Sequence, residues 1–260
     1  MPAVPVTKMH GTYNDFVVLD ERIAQIADLS LFAKMVCDRR GSVGADGLLV
    51  IGTSSSGDAR MSIYNADGSQ AEMCGNGARC VARFLSESGA GNELVLETVG
   101  GAIKTSVIAR DPFEVRINVG KVRIEPVQLA GIEAVCVRIG NPHVVVFQTG
   151  LDDVDLAALA GRVNASGQFP DGVNVHVAVK AGPQRLVVRH YERGAGATMA
   201  CGTGAVASAA AAVHRQLVVS PVEVEVPGGR LMVEWAGQGD AFLTGPAVRV
   251  FDTTIDVPLP

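Results

Sequence analysis

Cys74-Gly-Asn-Gly-Ala78 and Cys201-Gly-Thr-Gly-Ala205 agree in four of five positions and lie 127 residues apart (201 less 74). The same offset lays Asn14-Asp-Phe-Val-Val-Leu19 on Asn141-Pro-His-Val-Val-Val146, Gly47-Leu-Leu-Val50 on Asn174-Val-His-Val177, and Ile63-Tyr-Asn65 on His190-Tyr-Glu192. Motif pairs in register without a gap mark a duplication, with a period too long for a solenoid. The offset is nearly half of the 260 residues. The chain therefore reads as two copies of one domain, 1–124 carrying Cys74 and 125–260 carrying Cys201, divided in the region 122–134. The tail at about 250–260 is free to return to the first half.

Short β-rich segments fill each half: 15–20, 48–51, 59–64, 94–98 and 113–119, then 135–139, 144–147, 173–179, 185–191, 222–226 and 231–235. Turn residues such as Asn65-Ala-Asp-Gly68 and Val226-Pro-Gly-Gly229 separate them, as mostly antiparallel sheet requires. A helix is predicted after each Cys-Gly-x-Gly, at 78–88 and 205–216, and a surface helix at 154–163. Ala205–Val213 is small and apolar on every face, so that helix is expected to be buried all round. The expected class is α+β: two pseudo-symmetric domains, each a curled, barrel-like, mostly antiparallel sheet around a central α-helix.

Composition narrows the function. Hydrophobic residues make up 48% and charged residues 19%, which excludes a disordered or coiled-coil chain. Only 8 Phe, 3 Tyr and 1 Trp are present and the net charge is −5. Both argue against a nucleic-acid partner. No apolar run approaches the ~20 residues of a membrane span, and the first ten residues lack a signal-peptide pattern. Five cysteines, an odd number, suit free thiols in a reducing cytosol, so a cytoplasmic location is expected.

A cysteine and two glycines opening a helix have a physical use. Glycine lets backbone N–H groups approach a ligand, and the first turn of a helix carries unpaired donors in a field that favours an anion. The same field favours thiolate. Two such termini facing across one cleft would clamp a carboxylate between two thiols. Cys37, Cys80 and Cys136 lack this context and read as buried hydrophobes. Gly202-Thr-Gly-Ala-Val-Ala207 fits a dinucleotide fingerprint, but it has a twin in the other half and no βαβ setting. No C-x₂-C exists and Cys74 and Cys80 lack a His at ligand spacing, so no metal is expected. His176, His190 and His214 read as structural.

Taken together, Met9-His-Gly11, Asn14-Asp-Phe16, Cys37-Asp-Arg-Arg40, Gly44-Ala-Asp-Gly47, Tyr64-Asn-Ala-Asp-Gly-Ser69, Glu72–Cys80, Gly140-Asn-Pro-His143, Asp171-Gly-Val-Asn174, Glu192-Arg-Gly-Ala-Gly196 and Ala200-Cys-Gly-Thr-Gly204 resemble the diaminopimelate epimerase family. The resemblance runs from residue 9 to about 250. It implies two pseudo-symmetric domains, no cofactor, a homodimer, and interconversion of LL- and meso-diaminopimelate for lysine and peptidoglycan precursors. By the resemblance Cys74 and Cys201 are the acid–base pair, and His143 and Glu192 assist their protonation. Asn14, Asn65, Asn174 and Arg193 hold the distal amino-acid group. Gly47 and Asn141 belong to the same binding set, and the amides of Gly75, Asn76, Gly202 and Thr203 clamp the reacting carboxylate. The chain departs from the family at Thr12-Tyr13, where Leu-Gly is common, at Gly47, where some members carry Gln, and at Ala197, where Glu is usual.

Two other enzymes and one non-enzyme compete. Proline racemase types carry His where Asn76 stands and Asp before the second cysteine, and they lack Gly-Asn-Pro-His. Phenazine-biosynthesis isomerases lack the cysteine pair. A non-catalytic amino-acid binder has no need of either thiol.

Overall fold

The computed structural model describes residues 3–256, and the chain divides into two compact units. Unit 1 runs to Ile117 and resumes at Gly245; unit 2 spans Asn118–Thr244. Unit 1 begins with strands β1 (Ala3–Gly11) and β2 (Asn14–Asp20), helix α1 (Leu29–Val36), and strands β3 (Gly47–Gly52), β4 (Ala59–Asn65) and β5 (Gln70–Ala71). Helix α2 (Gly75–Glu87) and strands β6 (Glu93–Thr98), β7 (Gly101–Arg110) and β8 (Phe113–Lys121) follow. Next come β9 (Arg123–Glu125), β10 (Ala134–Ile139), β11 (Asn141–Gln148), α3 (Leu156–Asn164), β12 (Asn174–Gly182), β13 (Arg185–Glu192) and β14 (Gly196–Thr198). Helix α4 (Gly202–His214) and strands β15 (Val222–Val226), β16 (Gly229–Glu234), β17 (Asp240–Pro246) and β18 (Val248–Asp256) end the described chain.

The duplication holds element by element. α1 and α3 begin 127 residues apart, as do α2 and α4, and β2 and β11. In unit 1, β1–β2, β3–β4, β4–β5, β6–β7 and β7–β8 pair antiparallel, while β2–β3 and β4–β6 are parallel. Unit 2 repeats the scheme, with β11–β12 and β13–β15 as its parallel pairs. Each first strand gains a partner from elsewhere in the chain. β18 lies antiparallel to β1 and β9 to β10. The sheet is thus mostly antiparallel, with a parallel pair wherever a helix or a long loop carries the chain across.

The predicted central helices are present, each with Cys at the N-cap and both glycines inside the first turn rather than before it. α4 is buried from Gly204 to Ala212; its Ala, Gly and Ser side chains keep it narrow enough for a sheet to surround. α2 buries Asn76–Ala82, Leu85 and Ser86. The outer helices seal the other face of each sheet. Phe32, Ala33 and Val36 of α1 pack with Val17, Leu19, Leu48 and Val50, and Ala160 and Val163 of α3 pack with Val144, Val146 and Val175. α1, absent from the sequence reading, has the N-cap of its twin: Asp28 accepts from Leu31 N and Asp155 from Ala158 N, each at 2.9 Å.

Candidate active site

In unit 1 the extended backbone of Cys74 (φ −144°, ψ 114°) turns its sulfur back over the first turn of α2, where it accepts from Gly77 N at 3.4 Å. The ladder begins with Ala78 N to Cys74 O, so the amides of Gly75 and Asn76 precede it at the positive end of the helix dipole. Asn14, at the start of β2, bridges both residues. Its Oδ1 lies 3.8 Å from Cys74 Sγ and accepts from Asn76 Nδ2 at 3.1 Å.

Asn14 is itself held. Its Nδ2 donates to Asp46 Oδ2 (2.8 Å), and Arg39 Nη2 donates to both Asp46 Oδ1 (2.8 Å) and Asp15 Oδ1 (2.6 Å). Lys8 Nζ reaches Asp15 Oδ2 at 2.6 Å. Burial pushes Asp15 up, but the hydrogen bonds from Arg39 and Lys8 outweigh it and hold the carboxyl well below the usual carboxylate range. Beneath Asn76 lies the fully buried Arg79, whose Nη2 donates to Asn76 Oδ1 (3.0 Å) and Thr12 Oγ1 (3.2 Å) and whose Nε donates to Pro246 O (3.1 Å). A fixed cation thus sits one layer under the first turn of α2. Thr12 and Tyr13 take left-handed backbone (φ 52° and 61°), forming the tight turn that delivers Asn14.

Asn65 ends β4 and donates to Ser69 Oγ at 2.9 Å. Gly47 lies opposite it in the ladder. A Cβ at Gly47 would come within 2.8 Å of Tyr64 O, so glycine here serves the approach of β3 to β4.

Unit 2 places Cys201 at the head of α4 in the same backbone conformation (φ −121°, ψ 111°). Its surroundings differ. The residue is 5% exposed, and burial together with the Glu192 carboxylate within hydrogen-bond reach pushes the thiol well up. Thr203 Oγ1, 3.6 Å from the sulfur, and the Gly204 amide pull the other way without prevailing. Glu192 ends β13 and is oriented by Thr198 Oγ1 of β14 at 2.6 Å. Asn174 Oδ1 accepts from Arg193 N (2.9 Å), and Arg193 Nη1 donates to Asp171 O (2.6 Å), tying these two residues together. Gly202 and Thr203 precede the α4 ladder, which begins at Ala205 N to Cys201 O.

His143 is fully buried, with Nε2 2.9 Å from Asn141 Oδ1 and Nδ1 2.9 Å from His176 Nε2. Its described hydrogen bonds go to these partners rather than to Cys201. The residues that sequence reasoning missed are the orienting ones: Asp46 under Asn14, Arg79 under Asn76, and Thr198 against Glu192. Asp46 and Arg79 lie inside motifs singled out from the sequence, but nothing local tells which side chain each grips. Ala197 faces Tyr191 across the β13–β14 pair and is exposed.

Among the described residues no group of three or more His, Cys, Asp or Glu is arranged to hold a metal ion, and no helix is long and apolar enough to cross a membrane. The fold resembles solved structures. A phenazine-biosynthesis protein of Bacillus anthracis superposes with a TM-score of 0.77 at 15% identity, covering 99% of this chain and 100% of that one. A hydroxyproline epimerase of Agrobacterium vitis gives 0.70 at 18%, covering 98% and 91%. Sequence likeness goes further. A diaminopimelate epimerase of Sphingopyxis alaskensis is 39% identical over 264 residues, 96% of each chain, and one of Pseudomonas fluorescens is 38% identical over 95% of this chain and 96% of its own. The family model for diaminopimelate epimerase matches residues 6–125 and 135–250, which take in both cysteines and the loops and strands around them. The chain belongs to the diaminopimelate epimerase family.

Proposed function

We propose that the chain interconverts LL- and meso-diaminopimelate without a cofactor, the thiols of Cys74 and Cys201 serving opposite faces of one α-carbon. The observation that carries this reading is the same one twice over: a cysteine N-caps a buried helix in each unit, with amides of the first turn beside it. An amino-acid Cα–H is a very weak acid, so its removal needs fixed donors where charge develops on the carboxylate. Gly75, Asn76, Gly202 and Thr203 are the amides for that role. The carbanion is planar, and inversion requires a base on one face and an acid on the other. In one direction the Cys74 thiolate takes the α-proton and becomes a thiol, while the Cys201 thiol gives its proton to the other face and becomes a thiolate. The reverse reaction exchanges the roles.

The contrast between the two sulfurs supports that resting arrangement, because burial and Glu192 keep Cys201 protonated. Arg193 offers a fork for the distal carboxylate and Glu192 an acceptor for its ammonium, with Asn14, Asn65, Asn141 and Asn174 completing the polar lining. His143 acts on the site through Asn141. By the family resemblance the working form is a homodimer, which light scattering tests, and the free thiols suit a reducing cytosol.

In deuterated water, the epimer formed from either substrate should gain solvent deuterium at the α-carbon before the recovered substrate does. Cys74→Ala and Cys201→Ala should each lower epimerisation by about a thousandfold or more. Near-normal turnover by either variant would overturn the two-base assignment.

A further inference from the structure

Three buried histidines on adjacent strands of unit 2 form one hydrogen-bonded line. His143 Nδ1 lies 2.9 Å from His176 Nε2, and His176 Nδ1 lies 2.9 Å from His190 Nδ1. The rings belong to β11, β12 and β13, and His176 and His190 are direct cross-strand partners. All three are 1% exposed or less. The line ends at one side on Asn141 Oδ1 and at the other on His190 Nε2, which is buried with no partner among the described residues.

The duplication supplies a control. At the offset of 127 residues the same three positions in unit 1 are Phe16, Leu49 and Ile63, with the same pairing of Leu49 to Ile63. They are equally buried. The fold is therefore content with apolar side chains here. Three imidazoles, one with an unpaired buried nitrogen, are a cost that a packing role does not explain.

The line has a direction. Burial holds His143 and His190 near 3 and His176 well below its ordinary value, so each ring is neutral and carries one proton. Asn141 Oδ1 can only accept. Nε2–H of His143 therefore points at Asn141, Nε2–H of His176 at His143 Nδ1, and Nδ1–H of His190 at His176 Nδ1. The orphan is then a lone pair rather than an N–H.

We propose that His176 and His190 are positioning residues which fix the tautomer of His143 and through it turn the amide N–H₂ of Asn141 toward the substrate. The proposal rests on the function proposed above. It extends that reading to two histidines that touch no reacting atom.

Histidine ¹⁵N spectra of the unaltered protein test it without turnover. His143 should show a protonated Nε2 and an unprotonated Nδ1; the reverse pattern overturns the proposal whatever the enzyme's substrate. His190→Ile places the unit 1 residue in unit 2 and removes the donor to His176. The variant exchanges one unpaired buried nitrogen, His190 Nε2, for another, His176 Nδ1, so its melting temperature should stay close to the parent's, yet its His143 should become a mixture of tautomers. KM for diaminopimelate should rise about three- to tenfold, the worth of one weakened hydrogen bond, with kcat within about twofold. His190→Gln, which keeps a donor, should restore KM. A lowered melting temperature with unchanged tautomer and KM would make the line structural. Absence of any diaminopimelate turnover would count against the proposed function alone, because the spectra still decide the line.

Discussion

At the head of α2, Cys74 is partly exposed, takes a backbone N–H on its sulfur and has a neutral amide, Asn14, beside it. At the head of α4, Cys201 is buried, faces a carboxylate and has its thiol pushed well up. The backbone around both is the same. What separates them lies at matched positions one layer out, where the offset sets Asn65 against Glu192, Ala66 against Arg193 and Gly47 against Asn174. Duplication thus provides two equivalent thiol cradles, and a few substitutions in the strands around them give each its own surroundings. The two-base reaction proposed above needs such an inequality, because one sulfur must hold a proton while the other lacks it.

The largest consequence concerns acid. His143 and His190 have folded values near 3, far below the ~6.5 of an unfolded chain. A depressed folded value stabilises the fold above the unfolded pKa and loses that contribution as pH falls from about 6.5 toward 3. The loss amounts to several kcal/mol in order of magnitude. Unit 1 carries apolar residues at those positions, and its depressed Asp15 stops contributing only below about 4. Its one histidine, His10, is also lowered by burial but is half-exposed and can take a proton without unfolding. Amide exchange followed from pH 7.5 to 4.5 should show α4 losing protection before α2. Equal loss, or α2 first, would remove the acid asymmetry between the units.

How much of this was legible beforehand depends on whether the signal was local. Cys-Gly-x-Gly, the alanine-rich helix and the strands at 48–51 and 185–191 announce themselves within a few residues. α1 went unread because eight residues with Leu31 exposed give too short a period. β1 was hidden by Pro5, a residue that ordinarily argues against a strand flanked on both sides. β18 stayed hidden because its side chains are largely exposed and its partner lies at the other end of the chain. At the site, the motif residues could be named from sequence. Their supports could not, since Asp46 to Asn14 and His143 to His176 are contacts created by strand pairing, and register is a property of two segments.

A smaller effect separates two glycines. A Cβ at Gly77 would meet Leu49 Cδ2 at 2.8 Å, whereas one at Gly204 would meet His176 Cε1 at 2.5 Å, with both ring nitrogens at 3.0 Å. The leucine can swing its methyl aside; the ring is pinned by two hydrogen bonds. Gly77→Ala should be nearly neutral, its crowding offset by the backbone freedom that alanine removes from the unfolded chain. Gly204→Ala should cost about 1–3 kcal/mol of stability. Thermal melts of the two variants compare them, and equal losses would mean that the histidine line is no stiffer than the leucine it replaces.

The smallest difference is in thiol chemistry. Alkylation needs thiolate, so at neutral pH iodoacetamide should label Cys74 about tenfold or more faster than Cys201, as read by peptide mapping. Two causes contribute to the gap, and Glu192→Gln separates them. Removing the carboxylate takes away a Coulombic push and lowers the Cys201 value while leaving the thiol as buried as before. Labelling of Cys201 should then begin at lower pH, with the rate on its plateau unchanged, and Cys74 should not respond. If instead the pH midpoint stays put in Glu192→Gln, burial alone sets the protonation of Cys201. The inequality of the two thiols would then come from how deeply each helix end is packed rather than from the residue that replaced Asn65 in the second copy.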